Sequence, residues 1–158
     1  MNILFRCDGS VDIGMGHISR CIALAEILKR KHNCNIIFAM RKSKLGIDYV
    51  KKNFIVESSQ SIEFDYFEWL TNIINKNHID ILILDVRDGL TRDQLKKIKK
   101  KRNIKIVTID DPEEKRLESD FAFYPPLPQL SEISWNKYQG NLYFGYEYII
   151  LKKEFSKI

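Results

Sequence analysis

The stretch Ile3-Leu4-Phe5-Arg6-Cys7-Asp8-Gly9-Ser10-Val11-Asp12-Ile13-Gly14-Met15-Gly16-His17-Ile18-Ser19-Arg20 decides how this chain reads. Residues 3–5 are a short apolar run, and residues 7–16 are polar and rich in glycine. From Ile18 onward the apolar residues recur with helical period. Ile18, Cys21, Ile22, Ala25, Ile27 and Leu28 share one broad face, with Ser19, Arg20, Glu26, Lys29 and Arg30 mostly off it. The stretch is therefore a strand, a loop and the start of a helix.

Outward from it the pattern repeats. Strands are expected at 35–40, 54–57, 79–84, 104–109 and 121–124. Between them fall a weak helix at 45–52, a stronger one at 64–75 with Phe67, Leu70, Ile73 and Ile74 inward, and one at 91–100 with Leu95 and Ile98 inward. Alternating units of this length imply an α/β domain, a Rossmann-like open parallel sheet with helices on both faces. Pro125-Pro126-Leu127-Pro128 breaks the rhythm, and the aromatic stretch that follows, 135–148, reads as an irregular closing flap.

The 158 residues suit one domain of roughly 100–200 residues. With 44% hydrophobic and 30% charged residues the chain can bury a core, which argues against disorder. Three cysteines without a CxxC pair form neither a disulfide framework nor a structural zinc site, and fit a reducing compartment. Arg6 and Asp8 interrupt the first apolar residues before a signal region forms, and no apolar run approaches the ~18 residues of a membrane span. The expectation is a soluble, cytoplasmic protein with no membrane partner. Its net charge of +5 comes from one place: six of the 26 basic residues lie between Lys96 and Arg102, leaving 20 against 21 acids elsewhere. A basic helix end complements the helix dipole, and no aromatic residue interleaves the run, so a solvated helix terminus is favoured over a nucleic-acid patch.

The loop after the first strand lies where open α/β sheets bind ligands. Three known phosphate motifs fail there. Gly9 and Gly14 have P-loop spacing, but Met15-Gly16 stand where Lys and Ser/Thr are required. Gly14 and Gly16 begin a dinucleotide fingerprint, but its third glycine is Ser19, and the second strand ends at Met40-Arg41 with no ribose-binding acid. An aspartyl-nucleophile phosphatase would need an Asp where Arg6 stands. What remains is a glycine turn that delivers His17 onto the first turn of a helix. Glycines at 14 and 16 permit positive φ and close approach of a ligand, and the free N–H groups of a helix start favour a diphosphate. In that field the His17 imidazolium is disfavoured, leaving a neutral base able to take a proton from water or a sugar hydroxyl. Arg20, one turn on, shares a face with His17 and is placed to pair with a phosphate or carboxylate.

Residues Phe5-Arg6-Cys7-Asp8-Gly9-Ser10 and Ile13-Gly14-Met15-Gly16-His17-Ile18-Ser19-Arg20-Cys21-Ile22-Ala23-Leu24-Ala25 resemble the opening of the UDP-sugar hydrolases of pseudaminic acid biosynthesis and of their spore-coat polysaccharide relatives. That resemblance implies the two-domain GT-B fold, of which residues 1–148 would be the N-terminal Rossmann-like domain. It implies release of UDP from a 2,4-diacetamido-2,4,6-trideoxy sugar by water, with His17 as the base and neither metal nor other cofactor. The substrate contacts it implies are Asp8, Ser10, Ile13, Gly14, Gly16 and Arg20 in the loop and helix start, with Asp85 and Lys152 further along. Asp110-Asp111 also match acidic positions of the family. Leu151-Lys152-Lys153-Glu154-Phe155 resembles its hinge, with Lys152 replacing an arginine and so losing the planar fork. Residues 149–158 are then the start of the hinge, and the C-terminal nucleotide-binding domain, in cis or as a separate chain, is absent from these residues. Arg87 and Tyr124-Pro125-Pro126 depart from the family pattern near the expected sugar end. A glycosyltransferase half of the same fold and a non-catalytic sugar-nucleotide-binding module are the alternatives.

Overall fold

The computed structural model describes residues 1–59, 61, 63–87 and 89–155, so residues 156–158 of the expected hinge lie outside the described residues. In chain order the elements are β1 (Asn2–Cys7), α1 (Gly16–His32), β2 (Asn35–Met40), α2 (Lys44–Lys51), β3 (Ile55–Ser58), α3 (Tyr66–Lys76), β4 (Ile81–Asp85), α4 (Arg92–Arg102), β5 (Lys105–Ile109), β6 (Phe121–Tyr124) and β7 (Asn141–Phe144). Short 3₁₀ turns occupy Glu114–Glu118, Pro128–Glu132, Tyr146–Tyr148 and Lys153–Phe155.

The helices start and stop where local chemistry dictates. Thr91 caps α4 in a reciprocal box with Gln94, and Asp65 caps α3 by accepting the Glu68 amide. Asn33 and Asn103 end α1 and α4 in the left-handed conformation, which asparagine tolerates better than most residues. The Lys99–Arg102 cations fill the last turn of α4, where Arg102 reaches Asn75 and Lys99 pairs with Asp120 at 3.3 Å. Among the described residues no helix is long and apolar enough to cross a membrane.

Among the described residues seven strands form one sheet, all parallel, in the order β3-β2-β1-β4-β5-β6-β7. β1 is the pivot: Ile3 lies beside Ile36 of β2 on one flank and beside Ile81 of β4 on the other. Winding reverses between β1 and β4, so a crevice opens at their carboxyl ends, beyond Cys7 and Asp85.

Strand alternation sorts the core into two layers. Ile3, Phe5 and Cys7 of β1, with Phe38 and Met40 of β2, meet Ile18, Cys21 and Ala25 of α1 and Ile47 and Val50 of α2. On the opposite face Leu4, Ile37, Ala39, Leu82 and Leu84 meet Leu70, Ile73 and Ile74 of α3 and Leu95 and Ile98 of α4. Helices therefore cover both faces, as the periodicity implies. The apolar face of α1 is narrower than expected: Ile27 is 39% exposed.

One expectation is corrected. Residues 135–148 are not simply an irregular flap, because 141–144 form β7, paired in parallel with β6 from Phe121↔Asn141 to Tyr124↔Phe144. The crossover into β7 contains a 3₁₀ turn and loops in place of an α-helix, so no helical period announces the unit. Tertiary packing holds the short strand in place. Phe123 stacks on Tyr143 with ring centroids 5.0 Å apart, and Tyr148 closes against both.

Candidate functional site

The β1–α1 loop is built by its own side chains. Ser10 Oγ accepts the amides of Asp12 and Ile13, and a bridge joins Ser10 to Gly14. Gly14 sits at φ +75°, a conformation that a side chain would strain, whereas Gly16 is already helical. The loop is anchored at Asp8. Its carboxylate receives Arg6 Nη2 at 2.6 Å and the Arg41 amide at 2.8 Å. Arg6 is wholly buried, donates to Tyr66 Oη and to the carbonyls of Cys7 and Ala39, and lies over the rings of Tyr66 and Trp69. Burying such a cation is costly unless it is paired and hydrogen-bonded, and here each of its three nitrogens has a partner.

Above this base opens a cleft of about 850 Å³ at the β1/β4 crevice. Asp8, Ser10, Ile13, Gly16, His17, Arg20 and Lys152 line it, so seven of the nine expected site residues converge there. Gly14 is not part of the lining, and Asp85, which is fully buried, lies beneath it. The cleft is also lined by Arg41, Lys42 and Ser43 between β2 and α2, which the loop motif does not point to, by Val86 after β4, and by Arg87 and Asp110, which the family resemblance had marked as a departure and as a matching acid. The signal for the first group was the basic pair directly after the second strand.

The cleft is electropositive. Arg20, Arg41, Lys42, Arg87 and Lys152 face two lining acids, Asp8 and Asp110. α1 adds to this field. Among the described residues, α2, α3 and α4 have side-chain caps at Ser43, Asp65 and Thr91, whereas Met15 makes no cap bond and the first turn of α1 carries no acid. Its leading amides, at Gly16 and His17, point positive dipole at the cleft. A cation-lined crevice with an uncapped helix start suits an anionic ligand such as a diphosphate.

His17 and Arg20 converge on one carboxylate. Asp85 Oδ1 lies 2.6 Å from His17 Nδ1, and Arg20 grips Asp85 through Nε and Nη2, both at 2.5 Å. Cys21 Sγ adds a donor at 3.3 Å. Burial would raise the Asp85 pKa, but the hydrogen bonds from Arg20 and His17 outweigh it and hold the carboxyl below its usual range. The same pairing overcomes desolvation at Arg20 and pushes its pKa up. Burial keeps Cys21 a thiol. An ionised Asp85 accepts the hydrogen bond that Nδ1–H donates, so in the uncharged tautomer of His17 the ring lone pair lies on Nε2. Arg20 is thus engaged with protein first, while Nη1, which makes no bond to Asp85, is turned toward Asp110 at 3.6 Å. Among the described residues no three His, Cys, Asp or Glu side chains are arranged to hold a metal ion.

Fold and cleft together define a Rossmann-like α/β domain of the kind that forms the N-terminal half of a GT-B fold. A glycosyltransferase from Rickettsia africae shares this architecture, with a TM-score of 0.60 and 14% identity over 90% of this chain and 42% of that one. No family model matches the chain. The kinship seen in the β1–α1 motif is borne out among curated proteins. The chain is 35% identical over 112 residues to the UDP-2,4-diacetamido-2,4,6-trideoxy-beta-L-altropyranose hydrolase of Campylobacter jejuni, a match covering 70% of this chain and 37% of that protein. It is 28% identical over 158 residues to the spore coat polysaccharide biosynthesis protein SpsG of Bacillus subtilis, covering 98% of this chain and 44% of that protein. The chain thus spans less than half the length of these relatives.

Proposed function

We propose that this chain is the base-bearing domain of a hydrolase that releases UDP from a UDP-diacetamido-trideoxyhexose-like sugar, in nonulosonic acid or surface-polysaccharide biosynthesis. The observation that carries the reading is the 2.6 Å contact between His17 Nδ1 and the buried Asp85, which turns Nε2 of a cleft histidine into a proton acceptor of fixed orientation. In the reaction a water oxygen attacks the anomeric carbon while Nε2 takes the water's proton. The bond from that carbon to the diphosphate oxygen breaks, and its electron pair leaves with UDP. The cations of the cleft and the open start of α1 offset the charge of the leaving diphosphate. Kinship with the Campylobacter hydrolase supports the same chemistry. In this reading residues 1–148 are one domain, and 149–158 begin a hinge toward a nucleotide-binding domain, in cis or on a separate chain, that forms the facing wall.

A transferase of the same fold would use the same base on an acceptor hydroxyl, so the test omits the acceptor. In the enzyme complete with its nucleotide-binding domain, the UDP-diacetamido sugar alone gives steady release of UDP and free sugar. His17→Ala and His17→Asn lower that turnover by about 10²–10⁴-fold and leave UDP affinity unchanged. Release that requires an acceptor, or that is indifferent to His17, overturns the assignment.

A further inference from the structure

We infer that Arg20 and Asp110 form a hydroxyl-binding pair in the wall of the cleft. Three acids stand at the carboxyl ends of β4 and β5, and their surroundings separate them. Asp85 is wholly buried, with its oxygens engaged by His17, Arg20 and Cys21. Asp111 is also buried and holds its own turn by accepting the Glu113 amide at 2.8 Å. Asp110 alone faces the cleft, with its side chain 25% exposed.

Two features mark Asp110 as aimed. Its backbone is left-handed at φ +51°, fixed by its amide donating to the Phe123 carbonyl at 2.9 Å. Glycine would occupy this position without strain, so the chain carries a carboxylate here at a conformational cost. The second feature is its distance from Arg20. With Nε and Nη2 committed to Asp85, Arg20 keeps Nη1, which lies 3.6 Å from Asp110 Oδ2. That distance exceeds the ~2.7–3.2 Å of an N–H···O bond, and one oxygen set to the side of the pair can lie about 2.8 Å from each atom. Such an oxygen must accept from Nη1 and donate to Oδ2. Ether and carbonyl oxygens cannot donate and an ammonium cannot accept, so the group is a hydroxyl, of an alcohol or of water. This deepens the hydrolase reading and rests on it for the two sources: a hydroxyl of the substrate sugar, or the attacking water.

Two measurements test the pair. The first needs no activity. A crystal structure of the ligand-free chain, resolved well enough to place solvent, carries a water within about 3.2 Å of both Arg20 Nη1 and Asp110 Oδ2. A direct ion pair with no oxygen between, or an Asp110 turned out of the cleft, overturns the inference. The second is steady-state hydrolysis of the UDP-diacetamido sugar by the complete enzyme carrying Asp110→Gly, which removes the carboxylate and keeps the left-handed backbone, beside Asp110→Asn. If the oxygen belongs to the sugar, KM rises about 10–100-fold in Asp110→Gly with kcat little changed; if it is the attacking water, kcat falls by that factor with KM unchanged. Asp110→Asn, which keeps an acceptor oxygen, shows a smaller effect in either case. Wild-type constants in Asp110→Gly overturn the pair. If the wild-type enzyme does not release UDP, the hydrolase reading fails, and the solvent structure decides the pair by itself.

Discussion

Asp85, the last residue of β4, receives His17 from the first turn of α1 at 2.6 Å, although 68 positions separate them in the chain. The contact joins the two elements that flank the β1/β4 crevice, and Asp85 serves as the floor of the site. Exchanging Asp85 for Asn keeps the shape and removes the charge that fixes the His17 tautomer. Turnover of the UDP-sugar in Asp85→Asn is expected to fall about 10²–10⁴-fold, the range a positioned base supplies. The His17→Ala/Asp85→Asn double variant falls little further, because the two side chains act as a unit. Additive losses in that double-mutant cycle would show that Asp85 acts apart from His17.

Gly46, in the first turn of α2, holds the loop from outside. A Cβ at this position would lie 2.4 Å from the Gly9 carbonyl oxygen, which also accepts Ser43 Oγ–H at 2.8 Å. Alanine is the better helix former by about 1 kcal/mol, yet backbone cannot yield as a side-chain tip does. Gly46→Ala is expected to destabilise the domain by about 1–3 kcal/mol in urea unfolding. A gain in stability would mean that the loop moves freely away from α2.

Phe38 is fully buried in β2 between Phe5, stacked at 5.1 Å, and Phe54 at 5.2 Å. Phe38→Ala should cost about 3–5 kcal/mol, a large share of the ~5–15 kcal/mol typical of a domain. Phe38→Leu fills more of the space and should cost distinctly less in the same unfolding assay.

Asp111 gives the fold a pH dependence. Burial is the main cause that lifts its carboxyl to about 6, against the opposing pull of Lys115 and the Glu113 amide. A carboxyl whose pKa is higher folded than unfolded takes up a proton on folding, so its contribution is most favourable below the unfolded value of 3.8 and is lost as pH rises through 6. The loss amounts to about 3 kcal/mol at most. A carbon-13 titration should place the Asp111 midpoint near 6, and Asp111→Asn should flatten the decline of stability between pH 4 and 7. A midpoint near 3.8 would remove the effect.

Much of the fold is legible in the chain because parallel strands buried on both faces read as apolar runs, and helices with one wet side keep their period. β1, β2, β4, β5, β6 and all four α-helices follow from those two signals, and β3, a four-residue edge strand with exposed ends, from the helical period on either side of it. β7 does not, since four residues with an exposed end and a crossover lacking an α-helix leave neither signal. The glycine loop, His17 and Arg20 were visible as well, because a turn between a strand and a helix start is local geometry.

What the sequence alone determined is therefore local: the order of elements, the two-sided parallel sheet, and a histidine delivered to a helix start in a glycine loop. Tertiary structure decided the partners. Asp85, Asp110 and Asp111 are alike as letters, all acids at strand ends. One became the buried anchor of His17 and Arg20, one a cleft-facing carboxylate, and one a turn-former with a raised pKa. The reason is physical: burial and charge pairing depend on which side chains lie within a few ångströms, and the winding reversal between β1 and β4 brings β4 against β1 and within reach of α1.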